Sequence, residues 1–190
     1  MDTAEIAKDY LLYFILPLWV TAGFCDWLCH RQARIETNAG AKESVIHLLM
    51  MGEAGIAVLA GLFFSVNSAV ILLMLIGFAL HEVTTMWDLL YANSARRVNA
   101  IEQRVHDFLG AMPLLALSFI LIIHWDQFLA IFGIGDMPAD WSLTPRELDV
   151  PGAYFWGLMA AMALNLLLYL EELLRGLRFR SSRGLYTSAS

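Results

Sequence analysis

Five long apolar runs, separated by short polar interruptions, set the pattern of this chain. They cover about residues 10–30, 41–64, 68–92, 100–125 and 153–174. Each is long enough to cross roughly 30 Å of hydrocarbon as an α-helix, which takes about 20 residues. The pattern predicts an all-α integral membrane bundle of five transmembrane helices in a single domain, residues 1–190. The polar link Ser65-Val66-Asn67-Ser68 is so short that spans two and three must form an antiparallel hairpin. Asn38-Ala39-Gly40 is a turn signal before span two. Residues 126–152 form a breaker-rich loop with Gly133, Gly135, Pro138, Pro145 and Pro151, in which Gln127–Phe132 is expected to lie in the interface. Pro17 and Pro113 are expected to bend spans one and four.

Composition agrees with this reading. Hydrophobic residues make up 59% and charged residues 16%, against roughly 25% charged in soluble domains. The net charge of −6 says little about partners, because many of the acids lie inside or beside the apolar runs. No basic, aromatic-interleaved patch points to nucleic acid. Cys25 and Cys29, one helical turn apart in an apolar run, read as small core residues and not as a disulfide framework. The first run follows Asp2, Glu5 and Asp9 and lacks a basic leader region, so it is expected to be retained.

Basic residues orient the spans. Arg31, Arg34, Lys42, Arg96, Arg97, Arg104, Arg175, Arg178, Arg180 and Arg183 fall on one side, and Lys8 and Arg146 on the other. The positive-inside rule then predicts an outside N-terminus and a cytoplasmic basic tail, residues 175–190, in a bacterial inner membrane. The arginines read as topology signals that meet anionic headgroups of the membrane lipids.

One motif recurs across the spans. An acid and a histidine four apart appear as Asp26/His30, Glu43/His47 and Glu102/His106, and a stretched pair seven apart as His81/Asp88. Such spacings put both side chains on one helical face. With alternating helix directions, all four pairs fall toward the cytoplasmic end. Singly, each has an ordinary explanation: Glu43 and Glu102 sit in first helical turns, where acids oppose the helix dipole, and His30 and Asp88 are close enough to helix ends to reach water. Together, ionisable groups gathered at one depth in a membrane point to function. Carboxylate oxygens and imidazoles suit iron, manganese or zinc, and four carboxylates balance two divalent cations. The metal ligands predicted are therefore Asp26, His30, Glu43, His47, His81, Asp88, Glu102 and His106. Glu53, six residues beyond His47, reads as a further ligand, a proton relay or a structural acid, and is the candidate catalytic residue. Glu36 is a candidate to pair with Arg31 or Arg34 or to fold over the site, while Glu82 and Asp107 point elsewhere.

Over about residues 20–110 this arrangement resembles the dimetal-carboxylate four-helix proteins, including the membrane-bound diiron oxidases. It departs from them in spacing: Glu43-x-x-x-His47 and Glu102-x-x-x-His106 are one residue longer than Glu-x-x-His. It also resembles the lipid desaturases and hydroxylases in placing its site at the membrane edge, without their His-x-x-His-His boxes. The resemblance implies a four-helix core with a dinuclear site of two divalent ions, iron first and zinc or manganese next. It implies an oxidoreductase acting on a lipophilic substrate such as a lipid, isoprenoid or quinone, with an electron-donor protein. A zinc hydrolase of a lipid-like substrate, with Glu53 as base, and a non-catalytic metal-binding or transport protein are the alternatives. Span five carries no matching pair, ending in Glu171-Glu172. It is expected outside the core or in a homodimer contact, through Gly157, Ala160, Ala161 and Ala163.

The charge bias is directly testable. Fused at the C-terminus, a cytoplasm-dependent fluorescent reporter should be active and an export-dependent phosphatase silent; the reverse would invert the topology.

Overall fold

The structure, a computed structural model, describes residues 2–147 and 150–187, with 183–187 as backbone. Leu148, Asp149, the Arg183 side chain and the tail from 188 lie outside the described residues. Five helices are long and apolar enough to cross a membrane. They are α1 (Thr3–Ala33), α2 (Ala41–Phe63), α3 (Ser68–Ala95), α4 (Ala100–Ile123) and α6 (Gly152–Thr187), with the short α5 (Trp125–Ile131) between the last two. No strand occurs among the described residues, which hold one isolated bridge between Phe64 and Pro145. The predicted spans recur as helices, but α1 starts before residue 10 and α6 carries the basic tail on as helix past residue 174.

Local chemistry explains the boundaries. The Asn67 side chain accepts from the Val70 amide, and that of Asn99 from the Ile101 and Glu102 amides, capping α3 and α4. Arg34 ends α1 in the left-handed region at φ 50°, and Gly40 takes φ 71° before α2. Within α1, Leu11–Ile15 form a π-helical turn just ahead of Pro17. The Leu16 amide bonds back to Leu11, and Pro17 has no N–H to offer, so the Leu12 carbonyl is left over. Tyr154 of α6 donates its hydroxyl to that carbonyl, re-satisfying it from a neighbouring helix.

The bundle is inverted relative to a soluble protein. Large apolar side chains such as Val83, Ile101, Ile122 and Trp156 are exposed, as lipid-facing positions would be. The apolar clusters lie in one half, around Val70, Ile71, Met74 and Leu117 and around Leu12, Leu16, Leu62 and Leu158. The opposite end buries a concentration of polar residues, Asp26, His30, Glu43, His47, Asp88, Glu102 and Glu172, with Ile35, Ile46 and Ala92 among them.

The expectation that span five packs outside the core is corrected. α6 does not stand outside a four-helix core; it packs along α1 and α2. Close approach makes this possible. A Cβ on Gly176 would sit 2.9 Å from the Ala41 backbone nitrogen and 3.0 Å from its Cα, so only hydrogen fits there. The loop after α5 folds back over the α2–α3 turn, where Ser65 donates to the Thr144 carbonyl and Arg146 to that of Phe63.

Gly176→Ala should cost about 1–3 kcal/mol of stability in detergent unfolding, because helix backbones must part. Gly61→Ala meets the Met74 methyl at 2.7 Å, which can turn aside, and should be tolerated within about 1 kcal/mol. Equal effects would show that α6 does not dock this closely.

Candidate metal centre

Five helices deliver one cluster. α1 supplies Asp26 and His30, α2 Glu43 and His47, α3 Asp88, α4 Glu102 and His106, and α6 Tyr169 and Glu172. Every helical pair is three or four residues apart, so each helix presents both groups on one face. His30, Glu43 and Glu102 are completely buried.

Glu172 organises the centre. Its Oε2 lies 3.1 Å from His30 Nδ1 and its Oε1 3.5 Å from His47 Nδ1. A carboxylate only accepts, so both Nδ1 atoms carry a proton; in the neutral imidazole this leaves each Nε2 a lone pair. The two rings stack in parallel, 4.5 Å between centroids and 10° between planes. Their Nε2 atoms therefore lie on the side away from Glu172. There His30 Nε2 is 3.4 Å from Asp26 Oδ2 and 3.5 Å from Glu102 Oε1, and His47 Nε2 is 3.2 Å from Asp88 Oδ1. His106 Nε2 is 2.9 Å from Asp26 Oδ1. Tyr169 donates to Asp26 Oδ2 at 2.8 Å and fixes that carboxylate.

The four Nε2–carboxylate separations are within ion-pair reach of a protonated ring but lack hydrogen-bond geometry. The Nε2 atoms of His30, His47 and His106, with Asp26 Oδ1 and Asp88 Oδ1, are buried and have no hydrogen-bond partner among the described residues. Orphaned buried polar atoms are rare and call for an explanation. Ligands held about 2.1 Å from a divalent metal stand about 3.0 Å apart in octahedral and about 3.4 Å apart in tetrahedral coordination. The observed spacings fall on these edge lengths. Two groups bring their donor atoms within 4.8 Å of one another: Asp26, His30 and His106, and His30, Glu43 and His47.

Arg96, just past α3, is the second surprise. Read from the sequence as a topology signal, it buries its side chain and bonds through Nε and Nη2 to Glu43, the shortest contact 2.6 Å, and through Nη2 to Glu102. Burial works against its charge, but the hydrogen bonds to Glu102 and Glu43 outweigh it and raise its pKa above the usual arginine value. The charges then close. Five carboxylates (Asp26, Glu43, Asp88, Glu102 and Glu172) less one guanidinium leave four negative charges, which two divalent cations would balance. The donor chemistry and the charge count both fit metal.

Seven of the eight ligands expected from sequence meet here. His81 does not. Its Nδ1 lies 3.3 Å from the Met50 carbonyl and 3.8 Å from Glu53 Oε2. Glu53 lies six residues from His47, about 9 Å along α2 at 1.5 Å per residue, and so stands apart from the cluster. Glu36 pairs with Arg175 at 3.3 Å and not with Arg31 or Arg34; Arg31 meets Glu171 at 2.9 Å on the surface. Glu82 is exposed, and Asp107 meets Gln103 and Arg104 on an exposed face. Cys25 and Cys29 are free thiols. Sequence reasoning missed Glu172, Tyr169 and the role of Arg96. The available signal was Tyr169-x-x-Glu172, two polar groups one turn apart in an apolar run.

No protein-family model, curated protein or solved structure matches this chain.

Arg96→Met leaves Glu43 and Glu102 buried without their cation and should cost about 3–5 kcal/mol in detergent unfolding. Arg96→Lys, which keeps charge but not the fork, should recover part of it. A loss below about 1 kcal/mol for the methionine variant would show that the ion pair is not what holds these acids.

Proposed function

We propose that the chain is a membrane-embedded dimetal oxidoreductase, with iron as its metal, acting on a lipophilic substrate. The observation that supports this most strongly is the set of Nε2 atoms without a hydrogen-bond partner, each facing a carboxylate oxygen, with Glu172 placed against the Nδ1 atoms of two of the imidazoles. Asp26, His30 and His106, with Glu102 beside them, would hold one ion; His47 and Asp88, with Glu43 beside them, the other. A set richer in carboxylates than in imidazoles suits iron or manganese better than softer metals. Bound iron would supply oxygen activation and two-electron oxidation.

The protein's own groups have distinct tasks. Glu172 keeps the Nδ1 protons of His30 and His47 in place, which fixes ring orientation and raises ligand basicity. Tyr169 holds Asp26. Arg96 offsets the fifth carboxylate and holds Glu43 and Glu102 at the rim of the donor set. The arginine bias favours a cytoplasmic position for this end of the bundle, where an electron-donor protein would reach it and the membrane would deliver the substrate laterally.

A second reading has its own observation. Asp26, His30 and His106 alone make a two-histidine, one-carboxylate set, as in hydrolytic zinc sites. Metal analysis of purified protein decides between them. Two irons per chain, with an oxygen-sensitive absorption, support the oxidoreductase, and a single zinc supports hydrolysis. Folded protein that takes up no metal overturns both. His47→Ala and His106→Ala should lower metal content several-fold, and Arg178→Ala, on the exposed side of α6, should not change it.

A further inference from the structure

In the half of the bundle away from the metal centre lies a cavity of about 300 Å³. Its walls are apolar, with Leu12, Leu16, Ala57, Val58, Met74 and Pro113 among them, and Glu5, Lys8, His124 and Arg146 frame its far end. The volume is at the lower limit of ligand clefts, roughly 300–1,000 Å³. Two polar residues line it in the interior of the bundle: Glu53 and His81.

These two groups are tied down in a way that leaves acceptors free. Thr84 donates its hydroxyl to Glu53 Oε1 at 2.9 Å. Glu53 Oε2 is buried with no hydrogen-bond partner among the described residues, and at 3.8 Å His81 Nδ1 is too distant to serve. That Nδ1 faces the Met50 carbonyl at 3.3 Å; a carbonyl only accepts, so Nδ1 bears a proton, and in the neutral ring Nε2 is the acceptor. An apolar channel thus ends at a carboxylate oxygen and an imidazole nitrogen, both acceptors. Glu53 stands ten residues from Phe63, about 15 Å from that end of α2, near the middle of a bilayer about 30 Å thick. A charged headgroup at that depth is expensive, and an anion would also meet the Glu53 carboxylate.

We propose that this cavity binds a neutral, long-chain amphiphile whose headgroup hydroxyl donates to Glu53 and His81, with its chain along the apolar walls. A quinol and a long-chain alcohol share this chemistry. The site holds no member of the metal cluster, so binding needs no metal; that the same ligand is the substrate rests on the proposed function.

Trp19 lines the cavity and reports occupancy. Quenching of its fluorescence, corrected with Trp19→Phe, is measured in detergent with decylhydroquinone under argon, 1-dodecanol and dodecanoate. Saturable quenching by decylhydroquinone identifies the quinol source, and by dodecanol alone the alcohol source. In either case Glu53→Leu, an apolar replacement that removes the acceptor, should weaken binding at least tenfold, and Ala57→Phe, which fills the channel, should abolish it. Tightest binding of dodecanoate, absence of saturable quenching, or full-strength binding to both variants overturns the proposal. Metal content of the same sample keeps the two readings separable. Binding by folded protein that takes up no metal sinks the metal centre alone, and metal without binding sinks the cavity alone.

Discussion

Carboxylates confined together in an apolar bundle repel one another, and the end of the molecule that holds them is built around that constraint. Burial denies them water, so each must find a cation, a proton or a hydrogen-bond donor. Arg96 meets two of them, Tyr169 donates to a third, and Glu172 is placed against two imidazole Nδ1 atoms. What remains after these contacts is a set of nitrogen and oxygen lone pairs turned toward each other at coordination distances, with four negative charges uncompensated. Protons on three histidines would leave the cluster one charge short of neutral; two divalent cations would close it and use the orphaned atoms as well.

The fold serves this end of the bundle at the expense of ordinary packing. The close contact of Gly176 with Ala41 lets α6 lie along α2 near enough for Glu172 to reach His47. The π-helical turn before Pro17 and the Tyr154 hydroxyl bind α6 to α1 farther along. Between these two attachments the helix register carries Tyr169 and Glu172 into the site. The apolar cores sit in the other half, beside the cavity that ends at Glu53 and His81.

Much of this was legible in the sequence. Helix periodicity and hydropathy are local signals, and they place the spans to within a turn at most ends. The pairs Asp26/His30, Glu43/His47 and Glu102/His106 could be read because spacing fixes the face and the alternation of helix directions fixes the depth. His81 could not be assigned on the same basis. Its distance from Asp88 is two turns, so one face carries both residues, yet their depths differ by about 10 Å at 1.5 Å per residue. Glu172 was overlooked because only one acid of the Glu171-Glu172 pair is buried, and which one depends on helix packing. Arg96 looks like any residue of a basic loop until the chain reverses and turns it inward between two acids. Both omissions are matters of tertiary geometry, beyond the reach of a one-dimensional pattern.

The central claim is that His30 Nε2 and His47 Nε2 face metal and not protons. A crystal of protein prepared in ferrous iron, measured on both sides of the iron absorption edge, addresses it without reference to any activity. The account predicts two anomalous peaks, one beside His30, His106 and Asp26 and one beside His47 and Asp88. An ordered cluster with no anomalous peak, its histidines hydrogen-bonded directly to the carboxylates, would contradict it.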